Sequence, residues 1–246
     1  FKSNSDTEVL VNVISEWGMQ GLSKLNGMFA FAVWDTKLKH LILARDRYGI
    51  KPLYYSLQNG SFRFGSEQKA IIQDDRFSIR INKKALLEYF TYQNIFTNQT
   101  LTQDILLLPA GHFLVGDPSK INPLRLHQFW DFNFQEPLEL ASVQEYREEL
   151  DRLFKKAVER QLISDVEIGS YLSGGIDSGA ITFLASQSYD NLKTFTCGFD
   201  LHSASGIELG FDERERAEIM SYHCKTEHYE MVLKAGDMER VISRLT

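Results

Sequence analysis

The sequence predicts a two-domain chain, an α+β first half rich in strands followed by an α/β second half. Three observations carry that prediction. Up to about residue 115, short apolar runs are separated by polar turns, with few long helical stripes. Residues 116–137 then hold three of the five prolines (Pro118, Pro123 and Pro137) and little regular pattern, which reads as a crossing between domains. Beyond it, strands alternate with helices, and that order implies a parallel sheet with crossover connections.

The elements follow in order. Val9, Leu10, Val13, Ile14 and Trp17 recur at helical spacing behind Asp6-Thr7, a candidate cap. Residues 27–34 alternate small and aromatic side chains and residues 38–44 form a second apolar run. Asp35-Thr36-Lys37 between them suggests a hairpin. Residues 53–56, 61–65 and 112–115 are further strands, and Asn82 caps a helix running through Phe90. Ser142 and Glu145 have capping-box spacing ahead of a stripe of Val143, Tyr146, Leu150, Leu153, Phe154, Ala157 and Val158. After that come a strand at 168–172, a glycine loop, a helix from about Ser178 and a strand at 194–197. A helix at 213–222 and a strand at 228–232 complete the series.

Composition narrows the functional classes. Of 246 residues, 43% are apolar and 24% charged, which is ordinary globular usage. With 27 basic and 33 acidic residues the net charge is −6, the wrong sign for coating nucleic acid. The longest apolar run, Met28 to Trp34, is far short of the ~20 residues that span a bilayer, so no membrane partner is expected. Two cysteines, Cys197 and Cys224, are too few for a disulfide framework and read as reduced thiols of a cytoplasmic protein. Asn59-Gly60-Ser61 and Asn98-Gln99-Thr100 are read as chance matches to the glycosylation triplet. The six histidines show no metal-ligand spacing. The chain begins at Phe1 and enters a helical pattern almost at once, so its true amino terminus is expected to lie upstream.

One segment carries chemistry. Ser173-Gly174-Gly175-Ile176-Asp177-Ser178 follows a short apolar strand and opens a helix. Paired glycines let backbone approach a ligand with no Cβ in the way. A helix start offers unpaired N–H groups and the positive end of a dipole, a ready place for phosphate oxygens. Ser173 and Ser178 add hydroxyls. Asp177 would be repelled by phosphate, so a bridging Mg²⁺ explains it better. No Lys-Ser or Lys-Thr follows Gly175, which excludes a Walker-type loop, and the third glycine of the dinucleotide pattern is missing. The segment therefore reads as a polyphosphate cradle, against the blander alternative of a tight strand-to-helix turn.

This string resembles the pyrophosphate loop of ATP pyrophosphatases, and the chain more widely resembles the glutamine-dependent asparagine synthetases. Ser5-Asp6-Thr7-Glu8-Val9, Leu25-Asn26-Gly27-Met28-Phe29-Ala30-Phe31 and residues 44–53 (ARDRYGIKPL) are similar to successive blocks of that family's glutaminase domain. Phe64-Gly65-Ser66-Glu67 and Leu108-Pro109-Ala110-Gly111-His112 continue the likeness, and Tyr171 to Ser178 supplies the synthetase block. The resemblance implies that residues 1–135 form part of an αββα glutaminase sandwich. It implies that residues 136–246 begin a parallel-sheet adenylating domain.

It further implies ATP, with Mg²⁺, and glutamine and aspartate as small-molecule substrates. Aspartate would be activated as β-aspartyl-AMP with release of pyrophosphate, and ammonia from glutamine would then displace AMP. A homodimer stays open. Leu172, Ser173, Gly174, Gly175, Asp177, Ser178 and Cys197 match the family's ATP positions, with Asp177 toward Mg²⁺. Cys197 is otherwise read as a small core residue whose main chain meets adenine. Asp6 matches the aspartate that holds the α-amino group of glutamine. Residues 45–52 are read as scaffold, residues 213–215 as a solvated helix start, and His228 as packing.

The sequence departs from the family at both ends. The family's nucleophile is an amino-terminal cysteine, and position 1 here is Phe. The second ATP and aspartate loop would lie past Thr246. The 246 residues by themselves are therefore expected to lack glutaminase activity and to bind ATP weakly at most. Three alternatives remain: an amidotransferase acting on another carboxylate, a β-lactam-forming synthetase, and a non-catalytic nucleotide-binding homologue.

Overall fold

A computed structural model describes residues 1–120, 124–135, 142–200 and 212–245. The chain forms two compact units, Phe1–Gln135 and Glu136–Thr246.

The first unit opens with helix α1, Asp6–Trp17. Ser5, in extended backbone, is its cap and accepts from the Thr7 amide at 3.2 Å, so the cap lies one residue ahead of the Asp6-Thr7 pair that the sequence suggested. A 3₁₀ stretch at Gly18–Lys24 follows and inserts Leu22 into the core. Strands β1, Ala30–Asp35, and β2, His40–Arg45, form the expected antiparallel hairpin, with Asp35 opposite His40. The Asp35 carboxylate accepts from the Lys37 and Leu38 amides and shapes the turn.

Strands β3, Tyr54–Gln58, and β4, Ser61–Gly65, form a second hairpin. Helix α2, Gln68–Ile72, and helix α3, Lys83–Tyr92, come next. Asn82 caps α3 as expected, accepting from the Lys84 and Ala85 amides. Strands β5, Leu106–Leu107, β6, His112–Gly116, and β7, Leu124–Gln128, complete the unit.

The proline-bearing stretch thus contains a strand where little regular structure was expected. Its alternating Leu124 and Leu126 are too brief a signal by themselves, and the full ladder to β6 is what holds the segment extended. The sheets run β1-β2-β6-β7 and β4-β3-β5. Leu41, Leu43 and Leu114 of the first sheet share a core with Leu53, Leu108, Tyr55 and Phe62 from around the second. Because side chains alternate along a strand, Ala44 and Phe113 point the other way and cover Leu22. Ile71 of α2 packs with Tyr54, Phe77 and Ile105 beneath the second sheet. The layering is helix, sheet, sheet, helix.

The second unit begins with helix α4, Val143–Gln161, closed by the predicted capping box: the Glu145 amide donates to Ser142 Oγ, and the Ser142 amide to Glu145 Oε2 at 2.7 Å. Of its apolar stripe, Val158 is buried, whereas Val143, Tyr146, Leu150 and Leu153 stay exposed. Then follow β8, Gly169–Tyr171; α5, Ile176–Ser186; and β9, Lys193–Phe199. Helix α6, Arg214–Cys224, β10, Glu227–Leu233, and α7, Asp237–Leu245, close the series. The sheet order is β10-β9-β8 with both pairings parallel, as alternating strands and helices require. Among the described residues no helix is long and apolar enough to cross a membrane.

Candidate functional site

Parallel sheets present their ligand sites beyond the carboxyl ends of the strands. Here two segments meet that edge, the loop after β8 and the end of β9. Leu172 is the anchor between them. It is almost wholly buried; its amide donates to the Phe195 carbonyl at 2.9 Å, and its own carbonyl accepts from the Thr196 hydroxyl. A buried apolar side chain held on both backbone faces fixes where the loop begins.

Within the loop the two serines make each other rigid. The Ser173 amide donates to Ser178 Oγ at 3.2 Å, and the two hydroxyl oxygens lie 3.0 Å apart. Ser178 in turn donates to the Gly175 carbonyl at 3.2 Å. Gly174 has φ +70°, and a Cβ built there would sit 2.4 Å from Cβ of Arg216 on α6. The loop therefore passes over α6 at a separation only glycine permits. Gly175 caps α5 in extended backbone with no side chain satisfying the helix start. The first amides of α5 remain available to an external acceptor. Asp177, in that first turn, is exposed. Free amides, two hydroxyls and a positive dipole end together make a cradle for an oxyanion.

Cys197 stands near the carboxyl end of β9, opposite Met231, and is exposed. The expected core placement is thereby corrected: Thr194, Thr196 and Gly198 point into the unit, and strand alternation sends Cys197 to the other face. Cys224 is the buried thiol, and burial pushes its pKa up.

The segment at 213–215 is also more structured than a solvated start. Arg214 donates to both carboxylate oxygens of Asp212 and to the Phe199 carbonyl, tying α6 to the end of β9. A Cβ on Gly198 would strike that guanidinium, so glycine makes room for the tie. Asp212 two residues before Arg214 is the sequence signal for it. The Arg214 hydrogen bond holds the Asp212 carboxyl down to about 2, from 3.8. A depressed carboxylate stabilises the fold above its ordinary pKa, and that contribution is lost as pH falls through the folded value. The downfield Arg214 Nε–H proton resonance is expected to persist at pH 4, to disappear toward pH 2, and to be missing at neutral pH in Asp212→Asn.

His228 packs, as its place before an apolar strand suggested. Its Nδ1 lies 2.9 Å from Thr194 Oγ1, in a network with Thr226 and Ser221, and Nε2 is 3.7 Å from Glu230.

In the first unit Asp6 is the opening residue of α1 and is exposed; among the described residues its one side-chain hydrogen bond is a long 3.4 Å one from Thr7. Since Ser5 does the capping, the Asp6 carboxylate is uncommitted. The block at 45–52 is a folded core. Arg45 donates to the carbonyls of Gly49, Lys51 and Leu108, and Asp46 accepts from the amides of Phe29, Tyr48, Ile50 and Lys51. Among the described residues no group of three or more His, Cys, Asp or Glu side chains is arranged to hold a metal.

Residues 1–130 match the family model described as glutamine amidotransferase domain, and residues 149–246 match asparagine synthase. Among curated proteins, asparagine synthetase (glutamine-hydrolyzing) 3 of Bacillus subtilis (strain 168) is 33% identical over 97% of this chain and 39% of its own length. Asparagine synthetase (glutamine-hydrolyzing) 1 of the same organism is 34% identical over 85% of the chain and 32% of its own. Asparagine synthetase (glutamine-hydrolyzing) 2 is 33% identical over 80% and 27%. The chain spans less than half the length of these relatives.

Proposed function

Because the chain belongs to the glutamine-dependent asparagine synthetase family, we propose that it is part of an ATP-dependent ligase making asparagine from aspartate with glutamine as nitrogen donor. The observation that carries this reading is the loop at 173–178. The first amides of α5 there have no side-chain cap, and the Ser173 and Ser178 hydroxyls, bonded to each other, stand beside them. That arrangement suits the leaving diphosphate of a nucleotide. In the reaction, an oxygen of the aspartate side-chain carboxylate attacks the α-phosphorus of ATP. The bond from that phosphorus to the bridging oxygen breaks, leaving β-aspartyl-AMP and pyrophosphate. Ammonia from the glutamine amide then attacks the acyl carbon and AMP departs.

Negative charge grows on the β-phosphate as the P–O bond breaks, and donors already aimed at it lower the barrier more than they tighten substrate binding. Ser173, Gly174, Gly175 and Ser178 take that part. Leu172 and Cys197 flank the nucleotide through their main chain, at the carboxyl ends of β8 and β9. Asp177 would hold Mg²⁺: a single exposed carboxylate fits an ion that takes one or two protein oxygens and fills its shell with water and phosphate. The ion would neutralise the phosphate charge. In the first unit, the uncommitted Asp6 carboxylate suits the ammonium group of glutamine.

In the intact protein, Ser173→Ala with Asp177→Ala is expected to lower aspartate-dependent ATP–pyrophosphate exchange by at least ~100-fold, the scale seen when transition-state donors are removed. Exchange at the parent rate would overturn the reading. Exchange that depends on a different carboxylate would keep the adenylation chemistry and replace the acceptor.

A further inference from the structure

Two Asn-Gly pairs occur in the first unit, Asn26-Gly27 and Asn59-Gly60, and the fold treats them differently. In such a pair the glycine amide nitrogen is within reach of the asparagine side-chain carbonyl carbon, and no glycine Cβ obstructs the approach. Reaction then depends on whether the backbone is free to turn. We propose that Asn26 is a self-modifying position, converted through a cyclic imide to aspartate and isoaspartate, while Asn59 is protected by its turn.

Asn59 and Gly60 have φ +54° and +71° and join Gln58 to Ser61, which pair across β3 and β4. Positive φ at both central residues is the signature of the tight two-residue hairpin turn. Closing a ring there requires rotation about the bond from Asn59 Cα to its carbonyl carbon, and the paired strands oppose it. Asn26 and Gly27 are placed otherwise. They lie between the 3₁₀ stretch and β1, and both are exposed. Upstream, the Leu25 amide is anchored on the Leu22 carbonyl at 3.2 Å; downstream, Phe29 is anchored on Asp46 through its amide and its carbonyl. Among the described residues neither Asn26 nor Gly27 makes a hydrogen bond, so the backbone at Asn26 turns without breaking one. A Cβ at Gly27 or at Gly60 would meet nothing within 4 Å, so backbone restraint, and not crowding, separates the two pairs.

The chemistry consumes only water. The Gly27 amide nitrogen, its proton taken by solvent hydroxide, attacks Cγ of Asn26. The bond from Cγ to the side-chain nitrogen breaks, and that nitrogen leaves as ammonia with a proton from water, closing a five-membered imide. Water then opens the ring at either carbonyl. Breaking the new bond to Cγ gives aspartate; breaking the original peptide bond gives isoaspartate, linked through the side chain. Either product puts a carboxylate between Leu25 and Phe29, and isoaspartate also adds a main-chain methylene there. Leu25 and Phe29 both pack on the core of Leu22, Ala44 and Phe113, so the change is made at the edge of that core.

The test is peptide mass spectrometry after the intact protein has been held in neutral buffer, with an unaged sample digested in parallel to subtract conversion during work-up. Trypsin places the two asparagines in separate peptides, Leu25–Lys37 and Tyr48–Arg63. In the folded protein Asn26 is expected to convert at least about 10-fold faster than Asn59, because only Asn59 must first open paired strands. In urea, where both backbones are free, the two rates are expected to agree within about 3-fold. Gly27→Ala is expected to slow conversion at Asn26 by about 10-fold, since a Cβ restricts the backbone and shields the amide. Folded-state conversion at Asn26 no faster than at Asn59 overturns the proposal, as does an unchanged rate in Gly27→Ala.

Discussion

Gly174→Ala is expected to destabilise the second unit by roughly 2–4 kcal/mol, adding the strain of a left-handed alanine to the overpacking of a tight contact. It should also reduce Mg²⁺-pyrophosphate binding below detection. At φ +70° an L side chain is already strained, and the new methyl carbon would stand 2.4 Å from Arg216 Cβ and 2.8 Å from the Arg216 carbonyl carbon. The contact involves backbone of α6, which cannot swing aside as a side-chain tip could. Either the loop lifts off α6 or α6 shifts, and both move the amides of the proposed phosphate cradle.

Gly175→Ala is the control that separates strain from ligand clearance. Its φ is −74°, and the nearest atom to a new Cβ is Ser173 Oγ at 3.3 Å. It should change stability by less than about 1 kcal/mol while still weakening pyrophosphate, because the methyl group enters the space the ligand uses. Urea unfolding and calorimetric titration measure the two effects. Pyrophosphate affinity equal to that of the parent chain in Gly174→Ala would show that the loop is not the phosphate cradle.

Asp46→Ala is the second large effect, and it falls on the fold of the first unit. The carboxylate is 1% exposed and accepts from four backbone amides: Phe29, Tyr48, Ile50 and Lys51. Around it the Asp46 backbone pairs with Phe29, Gly49 and Gly111, so one residue organises three segments. Removing the acceptor leaves four part-buried donors unpaired, each costing up to ~1–3 kcal/mol, so about 4 kcal/mol is expected. Asp46→Asn keeps one acceptor oxygen but turns an amide N–H₂ toward donors, and should fall between. Hydrogen exchange at residues 48–51 should accelerate with the drop in the unfolding midpoint. A loss under 1 kcal/mol would mean that water replaces the carboxylate.

The Arg-Asp pair at 45–46 shows how much of a site can be read in advance. Its scaffold role was legible because an Arg, an Asp, a glycine and a proline in tight order rarely lie on a solvated surface. That Arg45 reaches across to Leu108 was not legible, because the contact spans 63 residues of chain. The frame of the proposed cradle was legible for the same local reason: strand, Gly-Gly, helix start and hydroxyls all fall within a few residues. Arg216, the backbone that forces glycine at 174, lies some forty positions later on α6, and nothing near it in sequence announces the approach.

Cys197 is a case where local pattern misled. A small apolar residue in an apolar strand reads as core, yet alternation within β9 turns Thr194 and Thr196 inward and Cys197 outward. Which face of a strand is buried depends on where the helices pack, and periodicity alone leaves that choice open. Likewise β7 exists because β6 offers it a complete ladder, a partner that two alternating leucines could not reveal.

The amino-acid sequence by itself determined the succession of elements, the helix caps at Asn82 and Ser142, and the strand–glycine–helix turn at 173–178. All of these depend on neighbours within a turn or two of the chain. Only the tertiary structure decided which strand faces are buried, why Gly174 admits no side chain, and how Arg214 locks α6 to β9. Those are meetings of residues far apart in the chain. Their energies arise from packing and desolvation, which exist only once the segments have come together.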